Sequence, residues 1–377
     1  MDRWVEEGAE EIAAHAEREL EALVAVSSPS GDAAAAEEAL AVVTALLPTS
    51  AAIERIECSS PDHAPDLVAH LSGSGARRLL LVGHIDTVVS HAEHRPIERQ
   101  DDRLVGSGTV DMKGGDVLAI GVLRALAQRA DAFAETALLL VTDEELRTAP
   151  FAHTDRFAGW DACLCFEAEQ LAPSGDEGVV AKRKAAGTLH VRAEGLSAHS
   201  GSAPDRGRNA LLALATAAQA VAEAHAPVGP DRLTAVPTVM RSGEAFNVVP
   251  ATGELFCDLR ADRLEAFDEV LERVPAEVGG AELHAELARR WPAMDSREAV
   301  GPLLERGSTL LGRTIVASGR GGASDASHFA SAIPLTIDGL GPRGGGAHAS
   351  HEFVLRDSLR SRAEVALAIV ASLAEPQ

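Results

Sequence analysis

Leu79-Leu80-Leu81-Val82-Gly83 carries no polar side chain and runs directly into His84-Ile85-Asp86-Thr87-Val88. So short and apolar a run fits a strand covered on both faces, because parallel strands buried on both sides lose the polar alternation of half-exposed ones. His84 and Asp86 are two apart, and a period of two places them on the same side. Open α/β sheets put their chemistry outside the carboxyl ends of their strands. The pair reads as a metal ligand with its orienting carboxylate, or equally as a core histidine satisfied by a hydrogen bond. A polar interval separates it from Gly106-Ser107-Gly108-Thr109-Val110-Asp111-Met112-Lys113-Gly114-Gly115.

The flanking pattern repeats strand and helix. An acidic amphipathic helix is expected over 4–26, with Ile12, Leu20, Leu23 and Val24 on its apolar face, and a second over 33–47 after Ser28-Pro29-Ser30-Gly31-Asp32. Strands are expected near 51–57, 66–71, 137–141 and 162–166, with a helix over 116–129. This alternation predicts an α/β fold with a parallel or mixed sheet. At about residue 183 the pattern changes to strand 187–194, helix 208–224, strands 233–241 and 252–260, helix 263–274 and strand 281–288. That β-α-β-β-α-β order is the ferredoxin-like one. The α/β pattern returns from about 294, with a helix over 298–311, strands at 314–317 and 333–337, and a short helix from Asp325. The expectation is a discontinuous catalytic domain, 1–182 with 294–377, holding an inserted α+β domain, 183–293. At 377 residues the chain exceeds what one core usually supports.

Composition bounds the partners. With 57 acidic residues against 34 Lys plus Arg, the formal net charge is −23, which repels nucleic acid and anionic membrane surfaces. The acidic N-terminus, Met1-Asp2-Arg3-Trp4-Val5-Glu6-Glu7, lacks the basic-then-apolar pattern of a signal peptide. No apolar run approaches the ~20 residues of a membrane span. Four cysteines, Cys58, Cys163, Cys165 and Cys257, are too few for a disulfide scaffold in this length. A reduced, cytoplasmic protein is expected.

The polar residues gather at strand ends: His84 and Asp86, then Asp111, then Glu144 and Glu145 after strand 137–141, and Glu167 after strand 162–166. His348 follows Gly344-Gly345-Gly346-Ala347. Two imidazoles with several carboxylates suit zinc and similar borderline cations. Acids packed together without a cation would raise one another's pKa steeply. Two divalent cations set against Asp111, Glu145 and Glu167 leave one positive charge for a hydroxide, a balance that favours two metals over one. Adjacent Glu144 and Glu145 can then divide the work, one as ligand and one moving a proton; alone, such a pair reads as a solvated acidic turn. Other hydrolase and nucleotide signatures fail. His351-Glu352 begins no His-Glu-x-x-His helix, since position 355 is leucine. Gly106-Ser107-Gly108 lacks the third glycine of a dinucleotide fingerprint, and no Gly-x-Ser-x-Gly elbow occurs.

His84-Ile85-Asp86-Thr87-Val88, Gly108 through Gly115, Thr142-Asp143-Glu144-Glu145 and Gly346-Ala347-His348 together resemble the M20 metallopeptidase family, from about Ser28 to Val354. The resemblance implies two Zn2+ per chain, with Co2+ or Mn2+ as substitutes. Asp111 would bridge them, His84 and Glu167 would complete one, and Glu145 and His348 the other. Asp86 would hold the His84 ring, Glu144 would be general base and acid, and the Asp111-Met112 peptide would be cis. In the inserted domain, Gly195-Leu196-Ser197-Ala198-His199-Ser200-Gly201 resembles the family's lid and dimerisation segment, where the histidine serves the partner's active site in a homodimer. Asn247 and Arg260 resemble its substrate-binding residues; from residues alone, Arg260 is open between a substrate clamp and a structural ion pair. Gly321-Gly322-Ala323-Ser324-Asp325 resembles its glycine turn near the substrate carboxylate. Leu146-Arg147-Thr148 departs from the family's Gly-Ser after the acidic pair, which bears on substrate preference. Within the family that the chain resembles, a glutamate at the place of Glu167 goes with carboxypeptidases and N-acyl amino acid deacylases, and an aspartate with aminopeptidases and dipeptidases. The resemblance thus implies a zinc hydrolase cleaving an amide beside an amino acid with a free α-carboxylate, glutamate carboxypeptidase-like. The alternatives are an acetylornithine deacetylase- or aminoacylase-like deacylase and, more distantly, a silent binding protein of the same fold.

Overall fold

Strand Arg78–His84, the apolar run of the sequence, lies inside a six-stranded sheet of a computed structural model that describes residues 1–169, 172 and 174–374. The sheet order is Ala52–Ile56, Asp66–Ser72, Glu135–Val141, Arg78–His84, Ala162–Cys165 and Thr336–Ile337. The first two pairings are antiparallel and the last three parallel, so the sheet is mixed. Register decides where the chemistry emerges. His84 lies opposite Val141 and Val82 opposite Cys165. The residues after Val141 and after Cys165 therefore leave the sheet at the edge where His84 stands.

Both faces of this sheet are covered at its centre, which is why Arg78–His84, Glu135–Val141 and Ala162–Cys165 are nearly continuous apolar runs, while edge strand Ala52–Ile56 stays exposed. Leu79, Leu81, Leu138, Leu140 and Leu164 face one core, shared with helices Arg3–Val24, Gly114–Ala127 and Arg356–Ala374. Leu80, Val82, Leu139, Val141, Cys163 and Cys165 face a second core with Phe157, Trp160 and Phe329. The alternating cysteines are thus small buried side chains, and all four cysteines are free thiols. Asp2 opens the first helix by accepting hydrogen bonds from the Trp4 and Val5 amides, and Asp32 caps the next, Ala33–Leu46, through the Ala35 amide.

The helices and longer strands lie within a few residues of their expected places. The sequence pattern does not show Glu177–Arg183 or Met294–Asp295, which join the expected strand at Ile315–Arg320 in a three-stranded sheet, nor the short strands Gly344–Gly345, Phe353–Leu355, Arg103–Val105 and Glu98–Gln100, which form another. Segments of two or three residues hold no period of their own; each exists because its partner strand supplies the ladder.

The chain divides into two compact units. One comprises Met1–Lys182, Met294–Gly319 and the residues from Ser324 onward; the other comprises Arg183–Ala293 with Arg320–Ala323. In the second unit the sheet order is Thr234–Ser242, Thr252–Ala261, Ala185–Glu194, Ala281–Trp291 and Glu277–Val278, every neighbour antiparallel. Helices Ala210–Glu223 and Ala266–Leu271 supply Leu214, Ala217, Phe267 and Val270 to a core with Leu189, Val191, Leu255 and Leu259. This is the ferredoxin-like arrangement that the element order implies.

Two glycines let backbone crowd the segment that presents Glu167. A Cβ on Gly115 would lie 1.9 Å from the Phe166 carbonyl oxygen, and one on Gly341 2.2 Å from it. Gly115→Ala is therefore expected to lower unfolding stability by ~1–3 kcal/mol in urea titrations, the usual cost of overpacking.

Candidate metal centre

Three neighbouring strand ends deliver His84, the Glu144-Glu145 pair and Glu167 to one edge of the sheet. Asp111 comes from the Thr109–Lys113 turn that precedes helix Gly114–Ala127, and His348 from the turn between Gly344–Gly345 and Phe353–Leu355. The Asp111-Met112 peptide is cis. His84 Nε2 stands 3.2 Å from Asp111 Oδ1 and 3.7 Å from Glu167 Oε1. His348 Nε2 stands 3.1 Å from Asp111 Oδ2 and 3.2 Å from Glu145 Oε1. Asp111 thus turns one oxygen to each histidine.

These groups fall into two candidate ligand sets, His84 with Asp111 and Glu167, and Asp111 with Glu145 and His348; within each set the ligand atoms lie within 4.8 Å of one another. A third set, His84 with Glu144 and Glu145, overlaps both. Glu144 is then as well placed to handle a proton as to hold a cation. The donor chemistry fits cations of the zinc type: imidazole nitrogens and carboxylate oxygens, buried and close. Glu145 Oε1 also lacks a well-formed hydrogen bond among the described residues, although it is buried. An orphaned carboxylate oxygen facing an imidazole at ligand spacing is what a cation would satisfy.

Without a cation the cluster redistributes its protons. Burial alone would lower the His84 imidazole, but hydrogen bonds to Asp111 and Asp86 hold it well above its ordinary value. The Asp111 and Glu145 carboxylates beside its ring push His348 up to about 10. Burial pushes Glu144 up to about 8, with the charges of Asp325, Glu145 and Asp111 adding to it and His84 opposing. Burial and the charge of Asp111 likewise raise Glu167 well above the carboxylate range. The metal-free site therefore holds protons where cations would sit.

Asp86 does more than attend the His84 ring. His84 Nδ1 lies 3.1 Å from the Asp86 carbonyl oxygen and 3.4 Å from its carboxylate. The same carboxylate accepts from the Glu144 amide at 3.2 Å and from the Glu145 amide at 3.0 Å. One buried side chain thus orients the first histidine and both acids. Arg147, in the segment that departs from the family pattern, is buried between Asp143 at 2.8 Å and Asp325 at 2.6 Å. It fastens the loop after Glu145 to the start of helix Ala326–Phe329. Lys113 is buried too, its Nζ donating to the Val26 carbonyl at 2.7 Å just ahead of helix Gly114–Ala127.

Glu352 is a residue that sequence reasoning weighed only within a failed metalloprotease motif. Its buried carboxylate accepts from the amides of Gly108 at 2.8 Å, Val110 at 2.8 Å and Asp111 at 3.0 Å. The signal that could have found it is an acid four residues after His348 and directly before the apolar Phe353-Val354.

His199, Asn247 and Arg260 lie in the second unit. His199 is exposed, and its Nδ1 accepts from the amides of Gly201 at 3.1 Å and Ser202 at 3.2 Å, which leaves Nε2 to carry the proton. Asn247 is its neighbour, since the Ser200 amide donates to the Asn247 carbonyl at 3.0 Å and His199 bridges Val248. Arg260 stands apart from them on strand Thr252–Ala261, paired with Asp258 at 3.0 Å.

Comparison with known proteins places this geometry. The sequence profile of peptidase family M20/M25/M40 matches residues 80–372. Carboxypeptidase G2 of Pseudomonas sp. (strain RS-16) is 25% identical over 325 residues, which cover 82% of this chain and 77% of that protein. Succinyl-diaminopimelate desuccinylase of Rhodospirillum centenum is 30% identical over 261 residues, 64% of this chain and 66% of that protein. Among solved structures, aminopeptidase PepT of Bacillus cereus superposes with a TM-score of 0.74 at 19% identity, covering 96% of this chain and 99% of that one. At that identity the likeness is one of fold.

Cation binding should release protons, because His84, His348, Glu144 and Glu167 hold them in the metal-free site at neutral pH. Apparent Zn2+ affinity is therefore expected to rise with pH between about 6 and about 8, tenfold per unit for each proton displaced. Calorimetry of the chelator-stripped protein in buffers of different ionisation enthalpy measures that release. A pH-independent affinity with none would contradict the protonated site.

Proposed function

The chain belongs to peptidase family M20/M25/M40 and is a metallohydrolase, and we propose that it uses two zinc ions to cleave an amide beside an amino acid that carries a free α-carboxylate. The observation that carries this reading is Asp111, with one oxygen toward His84 and the other toward His348, so that two ligand sets share one carboxylate. His84, Asp111 and Glu167 would hold one cation, and Asp111, Glu145 and His348 the other. Bound there, the cations would supply Lewis acidity for the amide carbonyl and a water acidic enough to attack near neutral pH.

Glu144 would take the proton from that water and return it to the departing amine. Its place suits proton transfer: its buried carboxylate lies within 4.8 Å of the His84 and Glu145 ligand atoms, beside the water that the cations would hold. Asp86 would keep the two glutamates in their separate roles by fixing both of their amides. In the second unit, His199 would offer its Nε2 proton to the developing oxyanion, held in that tautomer by the Gly201 and Ser202 amides. Asn247 and Arg260 would bind substrate, Arg260 exchanging Asp258 for a substrate carboxylate.

A homodimer formed through the second unit fits its surface. Thr234–Ser242 is an edge strand with exposed Val236, Val239 and Met240, and it packs with helix Ala210–Glu223, which exposes Leu211 and Leu212. An unprotected apolar edge of this kind invites pairing with a second copy. The dimer would let His199 serve the partner's site.

Carboxypeptidase G2 supports the C-terminal carboxylate reading through its match along most of the chain. The desuccinylase relative supports a second one, removal of an N-acyl group from an amino acid. A panel of folyl-type glutamate conjugates, C-terminal dipeptides and N-acyl amino acids, assayed with Zn2+ restored, separates them. Hydrolysis confined to N-acyl amino acids would favour the deacylase. Hydrolysis of none of the three would sink both.

Glu144→Gln should retain both cations and lower kcat by ~10²–10⁴, the usual scale of lost proton transfer. Metal analysis alongside turnover checks it; a variant that keeps its activity removes Glu144 from the reaction.

A further inference from the structure

His348 and Asp111 come from segments far apart in sequence, and one residue stitches these segments together. Gly344–Gly345 pairs with Phe353–Val354, and the Phe353–Leu355 strand pairs in turn with Arg103–Val105. The turn carrying His348 therefore lies beside the chain leading to Asp111. Glu352 closes the seam from both its backbone and its side chain. Its carbonyl accepts from the Gly106 amide at 3.0 Å. Its carboxylate Oε2 accepts from the Gly108 amide, and Oε1 from the amides of Val110 and Asp111.

The three amides converge because Gly108 is left-handed, with φ 72°; a Cβ there would also lie 2.8 Å from Thr87 Cγ2. Successive amides turned inward in this way form a concavity that takes an anion. Here the occupant is a carboxyl of the chain itself, four residues after a candidate metal ligand.

We infer that Glu352 is a positioning residue for the metal centre: by binding the Gly108, Val110 and Asp111 amides it sets where the Asp111 carboxylate stands relative to His348. This rests on the two-cation reading above. A glutamine at 352 is nearly isosteric but has only one carbonyl oxygen. It can serve Val110 and Asp111 and must then turn its NH2 toward the Gly108 N–H, donor against donor. The seam opens at the glycine that shapes the turn. An aspartate keeps the carboxyl group but is one methylene short of reaching all three amides.

The test is titration of the full-length, chelator-stripped chain with Co2+, whose visible absorption reports its ligand geometry, together with urea unfolding of the stripped protein. Glu352→Gln is expected to bind Co2+ about 10–100-fold more weakly than wild type, the usual scale for losing a group that orients a ligand. Its absorption envelope should also differ at saturation. If it does not fold, Glu352→Asp is measured in its place, with a smaller loss expected in the same direction. A folded variant that matches wild type in affinity and spectrum, however much stability it has lost, overturns the positioning role and leaves the metal centre standing. A wild-type chain that binds no Co2+ overturns the metal centre itself, and the role of Glu352 with it.

Discussion

Like charges that must be buried side by side govern this molecule. Asp111, Glu144, Glu145 and Glu167 meet at one sheet edge, and Glu144 and Glu167 are raised by burial and by acidic neighbours. A cluster of that kind persists only where something positive sits within it. Without cations, His84 and His348 take that part as imidazolium ions, each at an Asp111 oxygen. Much of the surrounding architecture then reads as reinforcement against repulsion. The sheet is packed on both faces, glycines admit backbone against Phe166, and the loops behind the acids are held by buried ion pairs.

Two of the reinforcing groups are themselves acids. Asp86 and Glu352 are buried carboxyl groups that between them accept five backbone amides, from Glu144 and Glu145 in one case and from Gly108, Val110 and Asp111 in the other. Backbone amides are uncharged donors, so both acids are held without a cation that would compete with those the site is built to hold; at Glu352 burial still outweighs the three amides and pushes the carboxyl up to about 7. Arg147 is the contrasting solution. It sits behind the site, between Asp143 and Asp325, where a positive charge balances two acids of its own.

What could be read from the sequence follows from how each feature is encoded. His84, Glu144, Glu145 and Glu167 are legible because each follows an apolar strand, and a strand end is a place that local pattern can find. Asp111 and His348 stand in glycine-rich turns and follow no apolar strand directly, and resemblance to a family carried them. Glu352 and Arg147 were not legible as supports, because their partners lie far off in sequence: 244 positions from Glu352 to Gly108 and 178 from Arg147 to Asp325. The strands that bring Glu352 into place, Gly344–Gly345 and Phe353–Leu355, are too short to carry a period. For Arg260 the sequence left clamp and ion pair open, and the structure adds its pairing with Asp258.

The interruption of the first unit by the second orders events in time as well as space. A chain growing from its N-terminus acquires His84, Asp111, Glu145 and Glu167 before the second unit is made, and His348 and Glu352 only long after it. Until then the acids have one histidine between them, and the turn that presents Asp111 has no carboxyl to gather its amides. The half-built site leaves its carboxylates awaiting a segment that is not yet synthesised. The segment from Gly344 to Leu355 brings His348 and Glu352 together, and helix Arg356–Ala374, which packs on helices Arg3–Val24 and Arg297–Leu311, follows directly after it. A chain truncated just after the second unit would lack the second histidine, the acid behind the Asp111 turn and that closing helix.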